Sequence, residues 1–401
     1  MDNSKEYRLL AFIAFIYPFF PLIKEWSTSL GNVLELGILF ILLITTIVTF
    51  NNGRIALKIP VIHLLFLIYL AVYILLSPEI MDSFSAFRIF LLYILLYTAL
   101  TQIKDKRHLR YIANAIVISA LIMTIGALIQ FPFPNVIKAF HNPSGWYDLG
   151  AKTNFIPLHV YNRSVSFFND PNVLGVYISS VLIFMFEVNK NMKIKHIKLI
   201  SLMMTVAIIL SQSRTAIFIL ITYCLLKLVV WFLNNRKINV LYLIITIIVS
   251  LTIIFLLCKN INAILEYLRV GTLMDGNGRV SRNKLYIQNL SAQDMKALLW
   301  GNGLTVGRDG MVFENIYLMF FYSFGFIGIT ILLIFLIMSF RKFFILSNVI
   351  PMTCFLIISY VGDYFYIPQI SLIFLFIFAF NFVLSKKLQT KNNYFIPPLE
   401  L

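Results

Sequence analysis

Apolar runs long enough to cross a lipid bilayer recur along this chain from near residue 8 to near residue 384. A transmembrane helix needs about 20 mostly apolar residues, and about twelve stretches approach that description. They lie at about residues 8–22, 33–50, 59–77, 86–101, 111–131, 172–188, 197–211, 213–233, 239–258, 313–339, 347–362 and 364–384. Since 60% of the residues are hydrophobic and only 12% are charged, the sequence predicts an all-α, polytopic protein with residues 1–401 in a single integral membrane domain.

The basic residues between these runs predict the topology. Alternate connections contain clusters such as "NNGRIALK", "QIKDKRHLR" and "NKNMKIKHIK". The positive-inside rule assigns this set, and with it both termini, to the cytoplasm. Two large external loops then follow, at about 132–171 and 259–312. The net charge of +16 is explained by these clusters, so nucleic acid is not expected as a partner.

The sequence has no recognisable cofactor or metal motif. Cys224, Cys258 and Cys354 fall in or beside apolar runs without paired spacing, so we interpret them as packing residues. No glycine-rich nucleotide fingerprint occurs in a strand–loop–helix context. We therefore predict neither a cofactor nor a bound metal.

The segment "YNRSVSFFNDPNVLGVYI", residues 161–178, interrupts the apolar pattern. Pro171 suits the first turn of a helix, and Asp170 or Asn169 can cap that helix by accepting from its free amides. Capping does not explain Arg163. An external arginine just before a re-entering helix can bind phosphate bidentately, and the helix N-terminus favours an anion there.

A second arginine, Arg214, lies in "LSQSRTAIF", where almost no loop separates the seventh and eighth runs. One interpretation is an arginine that extends its charged group to the bilayer edge. The other is an anion site at the external face between two spans.

The second long loop contains Arg279 and Arg282, and the glycines of "LWGNGLTVGRDG" mark a turning backbone after them. Glu314 and Asn315 follow where the tenth run begins. A carboxylate in a first helical turn is favoured by the helix dipole. Alternatively, Glu314 is a general base in a partly desolvated site.

In order and sidedness, these motifs resemble the O-antigen ligase and O-antigen polymerase superfamily of bacterial surface polysaccharide synthesis. The similar positions extend from residue 163 to residue 328, whereas the first five spans match only in general character. The matched residues are Arg163, Pro171, Asn172, Gly175, Ser211, Ser213, Arg214, Arg279 or Arg282, Gly301, Gly303, Asn315, Tyr317, Leu318, Gly325 and Gly328.

The resemblance implies a fold like the C-type glycosyltransferase membrane fold, in the cytoplasmic (inner) membrane of a bacterium. It implies transfer of a glycan from an undecaprenyl pyrophosphate carrier, with lipid-linked glycan as donor and acceptor. Membrane lipid, a chain-length regulator and a flippase are the implied partners. Arg163, Arg214 and Arg279 or Arg282 would bind the pyrophosphate without a metal, and Glu314 would accept the proton of the acceptor hydroxyl.

One position departs from the family pattern. The ligases have a histidine where this chain has Glu314, which favours a polymerase over a ligase. His141 and His159 are also predicted to be external, but neither matches a family position, and we expect no catalytic role for them. A ligase, a lipid-linked oligosaccharide flippase and a non-catalytic membrane component of the same pathway are the alternatives.

Overall fold

The structure is a computed structural model. It describes residues 4–51, 54–57, 61–75, 80–103, 106–141, 163–234, 295–303, 316–362 and 364–391. Within these ranges the chain forms fourteen α-helices and one short β-hairpin.

The helices are numbered here in chain order. They are α1 Ser4–Ile16, α2 Phe20–Trp26, α3 Thr28–Ile47, α4 Val61–Leu75, α5 Ile80–Thr101, α6 Lys106–Gln130, α7 Pro134–Lys138, α8 Pro171–Asn189, α9 Ile197–Ser211, α10 Arg214–Asn234, α11 Met295–Trp300, α12 Ile316–Phe340, α13 Val349–Val361 and α14 Pro368–Lys391. Short 3₁₀ turns occupy Tyr17–Phe19, Arg341–Phe343, Leu346–Asn348 and Tyr364–Tyr366.

In the described part of the chain, six helical segments are long and apolar enough to cross a membrane: Tyr7–Trp26, Arg107–Gln130, Pro171–Asn189, Arg214–Phe232, Ile316–Met338 and Pro368–Ser385. Five shorter apolar helices accompany them, at Thr28–Ile44, Val61–Leu75, Phe87–Thr101, Ile197–Ser211 and Leu346–Val361. These segments coincide with the predicted runs, except that 239–258 lies outside the described residues. The helical, multi-pass character is confirmed. Twelve crossings and the C-type fold stay predictions.

A small hairpin lies in one connection that was predicted to be cytoplasmic. Its strands, β1 Val48–Asn51 and β2 Arg54–Leu57, are antiparallel, with Val48 opposite Leu57. The intervening sequence Asn52-Gly53 is typical of a two-residue hairpin turn, and Val, Thr, Phe and Ile favour strands. Because the hairpin begins at Val48, the helix of the second predicted run, 33–50, ends three residues before the predicted end. The fold remains predominantly helical.

Helix α8 lies at the centre of the bundle. It packs against α6, α9, α10 and α14. Fifteen of its nineteen residues are buried. Its polar residues Ser179, Ser180 and Glu187 would be costly against lipid, which favours a central position for this helix. The residues just before α8 are therefore held against several neighbouring helix ends.

The two ends of the bundle differ in character. The ends of α6 and α9 meet the starts of α8 and α10 at one end, which we call the Arg163 end. At the opposite end, Tyr7 of α1 stacks on His108 of α6 with ring centres 4.0 Å apart, so both helices begin there. Exposed basic residues, among them Arg8, Arg110 and Lys195, lie at this opposite end.

A buried carboxylate connects α8 to α10 near the opposite end. Glu187 is 2% exposed and accepts from Tyr223 Oη at 2.5 Å. Lys227 Nζ lies 2.5 Å and Lys190 Nζ 2.9 Å from its oxygens. Two ammonium groups and a phenol thus compensate one buried charge, as burial of a carboxylate requires.

Candidate functional site at the Arg163 end

The loop that precedes α8 is fixed by the end of α6. The side-chain oxygen of Gln130 accepts from the backbone amides of Val165, at 2.9 Å, and Ser166, at 2.8 Å. The hydroxyl of Ser164 donates to the carbonyl of Ala127 at 3.1 Å. These partners are buried, so the loop has its backbone groups satisfied inside the bundle and is held in one position.

The start of α8 follows the sequence prediction. Pro171 is its first residue, and Asp170 Oδ1 accepts from the amide of Asn172 at 2.6 Å. The capping prediction is therefore confirmed, with Asp170 rather than Asn169 as the cap. This bond uses the backbone amide of Asn172, and the side chain of Asn172 takes no part in the cap.

That side chain binds Arg163. Nη2 of Arg163 donates to Asn172 Oδ1 at 2.7 Å, and Nε donates to the carbonyl oxygen of Ser211 at 3.0 Å. The backbone of the next residue makes a further bond to the end of α9, since the Ser164 amide donates to Leu210 O at 3.0 Å. Arg163 is 8% exposed. It therefore joins the start of α8 to the end of α9, and its predicted contact with pyrophosphate stays a prediction.

The turn between α9 and α10 is as short as expected. Gln212 adopts the left-handed conformation at φ 49°, and Ser213 Oγ accepts from the Ala216 amide at 3.3 Å to cap α10. Arg214 is the first residue of α10 and is partly buried. The structure thus brings the first two arginine motifs together across this turn.

Gly175 makes this contact close. A Cβ at Gly175 would lie 2.5 Å from Ser213 Cβ and 2.6 Å from Ser211 Oγ. Carbon atoms in contact normally lie about 3.5–4.0 Å apart, so a larger residue would separate α8 from the turn. Gly175 therefore permits the close approach of α8 to the turn whose Ser211 carbonyl binds Arg163.

The later glycine motifs also meet. The amides of Asn302 and Gly303 donate to the carbonyls of Tyr322, at 3.0 Å, and Ser323, at 3.2 Å. Helix α12 is broken at Gly325, where φ is 61° and ψ is −172°. A Cβ at Gly301 would lie 2.6 Å from the Gly325 nitrogen. The segment after α11 thus docks on the break in α12.

The other predicted site residues divide into two groups. Tyr317 is exposed, and its hydroxyl donates to Leu356 O of α13 at 2.9 Å, which is a structural link. The second group lies outside the described residues: Glu314, Asn315, Arg279, Arg282 and His159. Their approach to Arg163 and Arg214 stays a prediction.

A buried pair that the sequence did not indicate holds the same loop from another side. His141 Nδ1 lies 2.7 Å from Glu25 Oε2, and its Nε2 lies 2.9 Å from Ser166 O. A carboxylate and a carbonyl both accept. Nε2 therefore donates to Ser166, and one proton lies between Nδ1 and Glu25. This arrangement connects the end of α2 to the loop.

A cavity of about 410 Å³ opens beside this loop. Its charged lining residues are Lys24, Glu25, Glu35 and Arg88. The remaining lining residues are Tyr17, Phe20, Pro21, Ile89, Asn169, Tyr366, Pro368 and Gln369. Because Asn169 belongs to the loop that also contains Arg163, the cavity and the Arg163 junction share one wall.

Glu35 organises the charges of the cavity. It is 4% exposed and accepts from Lys24 Nζ at 2.6 Å and Tyr17 Oη at 3.1 Å. Arg88 Nη1 lies 3.6 Å from the same carboxylate. Sequence reasoning missed this cluster, although one signal was present. Glu35 and Arg88 each lie within a predicted span, where an ionisable residue is costly and usually paired or functional.

The described residues include no group of three or more His, Cys, Asp or Glu side chains placed to hold a metal ion. Comparison with known proteins gives no match to a family model, to a curated protein or to a solved structure. The resemblance to the O-antigen ligase and polymerase superfamily therefore rests on the motifs alone.

Proposed function

We propose that this protein polymerises undecaprenyl-pyrophosphate-linked oligosaccharide repeats into O-antigen, capsular or exopolysaccharide. The observation that supports the proposal is the composition of the Arg163 end. In a multi-pass membrane protein, this end combines the Arg163–Asn172–Ser211 junction with a cavity beside the same loop that is lined by residues of both charges. A lipid-linked substrate with an anionic head and a hydroxyl-rich glycan needs such a polar site at the edge of an apolar bundle.

The proposed orientation puts the Arg163 end at the outer face of the bacterial cytoplasmic membrane. Support comes from the exposed basic residues Arg8, Arg110 and Lys195 at the opposite end. The positive-inside rule assigns such an end to the cytoplasm. Both termini are then cytoplasmic.

In the proposed reaction, the oxygen of an acceptor sugar forms a bond to the anomeric carbon of the donor glycan. The bond from that carbon to the carrier phosphate breaks, and the pyrophosphate leaves with the electron pair. Glu314 takes the proton of the acceptor hydroxyl, and inversion at the anomeric carbon is the expected outcome. The energy comes from the activated carrier, so neither a nucleotide nor a metal is required.

The arginines have distinct tasks in this proposal. Arg214 and Arg279 or Arg282 stabilise the charge that develops on the leaving pyrophosphate. Arg163 fixes the turn that presents Arg214, through its bond to Ser211, and lies at the α8 N-terminus, where an anion is favoured. Fixed guanidinium groups suit this purpose because they stay charged and bind phosphate in a defined geometry.

The experiment is a reconstitution of the purified chain in liposomes with the lipid-linked repeat unit of its host. A ladder of longer lipid-linked glycans, formed without nucleotide and in the presence of EDTA, is the expected product. Transfer to a different acceptor without lengthening would favour the ligase. Movement of the carrier across the bilayer without a new glycosidic bond would favour a flippase and contradict the proposal.

A further inference from the structure

Among the described residues that line it, the cavity at the Arg163 end has as many cationic as acidic side chains. Two cationic residues, Lys24 and Arg88, are matched by two acidic ones, Glu25 and Glu35. A pyrophosphate in this cavity would meet both carboxylates. A ligand with many hydroxyl groups suits such a lining better, since each hydroxyl can donate to a carboxylate and accept from an ammonium or guanidinium group.

Two buried hydrogen-bond donors on the lining residues lack partners within the described part of the chain. They are Nε of Arg88 and the hydroxyl oxygen of Tyr366. Buried polar groups are nearly always hydrogen-bonded, so each of these donors requires a partner, and a water or ligand in the adjacent cavity is one candidate. Both atoms can donate to a hydroxyl oxygen.

The remaining walls are apolar or amide-bearing. Tyr17 and Phe20 stack with ring centres 4.8 Å apart, and prolines line the cavity at positions 21 and 368. Gln369 adds an amide that donates and accepts. Ligand pockets are about 300–1,000 Å³ and mostly apolar with a few placed polar groups, so a cavity near the lower limit suits one or two sugar rings.

We propose that this cavity binds the neutral terminal sugar of the acceptor glycan. The inference rests on the proposed function and goes beyond it by assigning an acceptor site to residues outside the arginine motifs. The terminal sugar of the acceptor is the part of that substrate furthest from its own pyrophosphate. It therefore fits a site whose described cationic and acidic residues balance in number, whereas the donor pyrophosphate is assigned to the arginines.

The test measures the binding of free sugars to the full-length protein in lipid nanodiscs by saturation-transfer difference NMR. The probes are neutral hexoses, N-acetylhexosamines and their disaccharides, with glucuronate and inorganic pyrophosphate as comparators. At least one neutral sugar should give a signal that the two anions do not compete away.

Single substitutions test whether the NMR signal comes from sugar bound in this cavity. Tyr366→Phe removes one hydrogen-bond donor and should raise the Kd for the sugar about three- to tenfold, as expected for the loss of one hydrogen bond. Gln369→Leu should weaken it similarly. Tyr360→Phe is the matched control, because Tyr360 lies on α13 with 64% of its surface exposed and does not line the cavity. Thermal melting of each variant checks that it is folded.

Three results would overturn the inference: no neutral sugar binds, an anion displaces the bound sugar, or folded Tyr366→Phe and Gln369→Leu both bind like the wild type. These outcomes differ from a failure of the proposed function. If the protein binds the sugar but a deletion strain still makes normal surface polysaccharide, the sugar site is supported and the proposed polymerase function is contradicted. If the deletion strain loses its polymer but the protein binds no sugar, the polymerase function is supported and the sugar site is contradicted.

Discussion

Helix α8 contacts the α9–α10 turn at Gly175, and one added methyl group tests whether this contact builds the Arg163 end. In Gly175→Ala, the new Cβ would lie 2.5 Å from Ser213 Cβ and 2.6 Å from Ser211 Oγ. The turn must retreat by about 1 Å to reach an ordinary contact distance. The bond from Arg163 Nε to Ser211 O, at 3.0 Å, would then exceed hydrogen-bond range.

The magnitude follows from comparison with a second glycine. Overpacking of this kind costs about 1–3 kcal/mol. Replacing a helical glycine by alanine gains up to about 1 kcal/mol from propensity alone. Gly37 in α3 isolates that gain, because a Cβ there meets nothing within 4 Å. We expect Gly175→Ala to be less stable than Gly37→Ala by about 1–3 kcal/mol.

The assay is reversible unfolding of the purified variants in mixed micelles, followed by circular dichroism, together with the chain length of the polysaccharide that each variant restores. Gly37→Ala should match or exceed the wild type in stability and restore normal chains. Gly175→Ala should lose stability and chain length together, because a shift of about 1 Å can lower a catalytic rate about 100-fold. Equal stability and normal chains in both variants would refute the contact.

The remaining predictions concern single residues. Arg163→Lys should abolish long chains although it keeps the positive charge, because a lysine ammonium cannot form both hydrogen bonds that the guanidinium makes, to Asn172 and to Ser211. Chains of normal length would contradict this prediction. Glu187→Gln should lower the free energy of unfolding by about 2 kcal/mol, and with it the melting temperature, because the ion pairs are lost. The loss stays moderate since both lysine partners keep contact with solvent. An unchanged melting temperature would contradict this prediction. Gly325→Ala should lower the yield of folded protein, because φ is 61° there and the Gly301 segment lies against it; normal monodisperse yield would count against it. Glu314→Ala should abolish long chains while the protein still accumulates in the membrane; normal chains would end its role as base.

Local features of this fold were predictable from sequence. Apolar run length identified the helices, and short-range chemistry identified the α8 cap, because Asp170 and the amide that it binds are two residues apart. The very short connection before Arg214 was also evident, since one apolar run ends there and the next begins. Each of these features depends on neighbouring residues alone.

Tertiary pairings were not predictable in the same way. Sequence reasoning left Arg163 as a cation available to phosphate, whereas the structure gives it Ser211 O and Asn172 as partners. The bond to Ser211 joins residues 48 positions apart, and no local pattern reports it. Glu35 and Arg88 were likewise hidden, because each is the one charged residue in an apolar run and their pairing depends on how α3 packs on α5.

The most direct test of the proposed polymerase is the length profile of surface and lipid-linked glycans in a strain that lacks this chain, with wild type, Arg214→Ala or Glu314→Ala supplied in trans. We predict that long polysaccharide disappears, that single repeats accumulate on the undecaprenyl carrier, and that only the wild type restores long chains. Polysaccharide of normal length in the deletion strain would contradict the account. Long polymer retained on the lipid carrier would instead indicate a ligase.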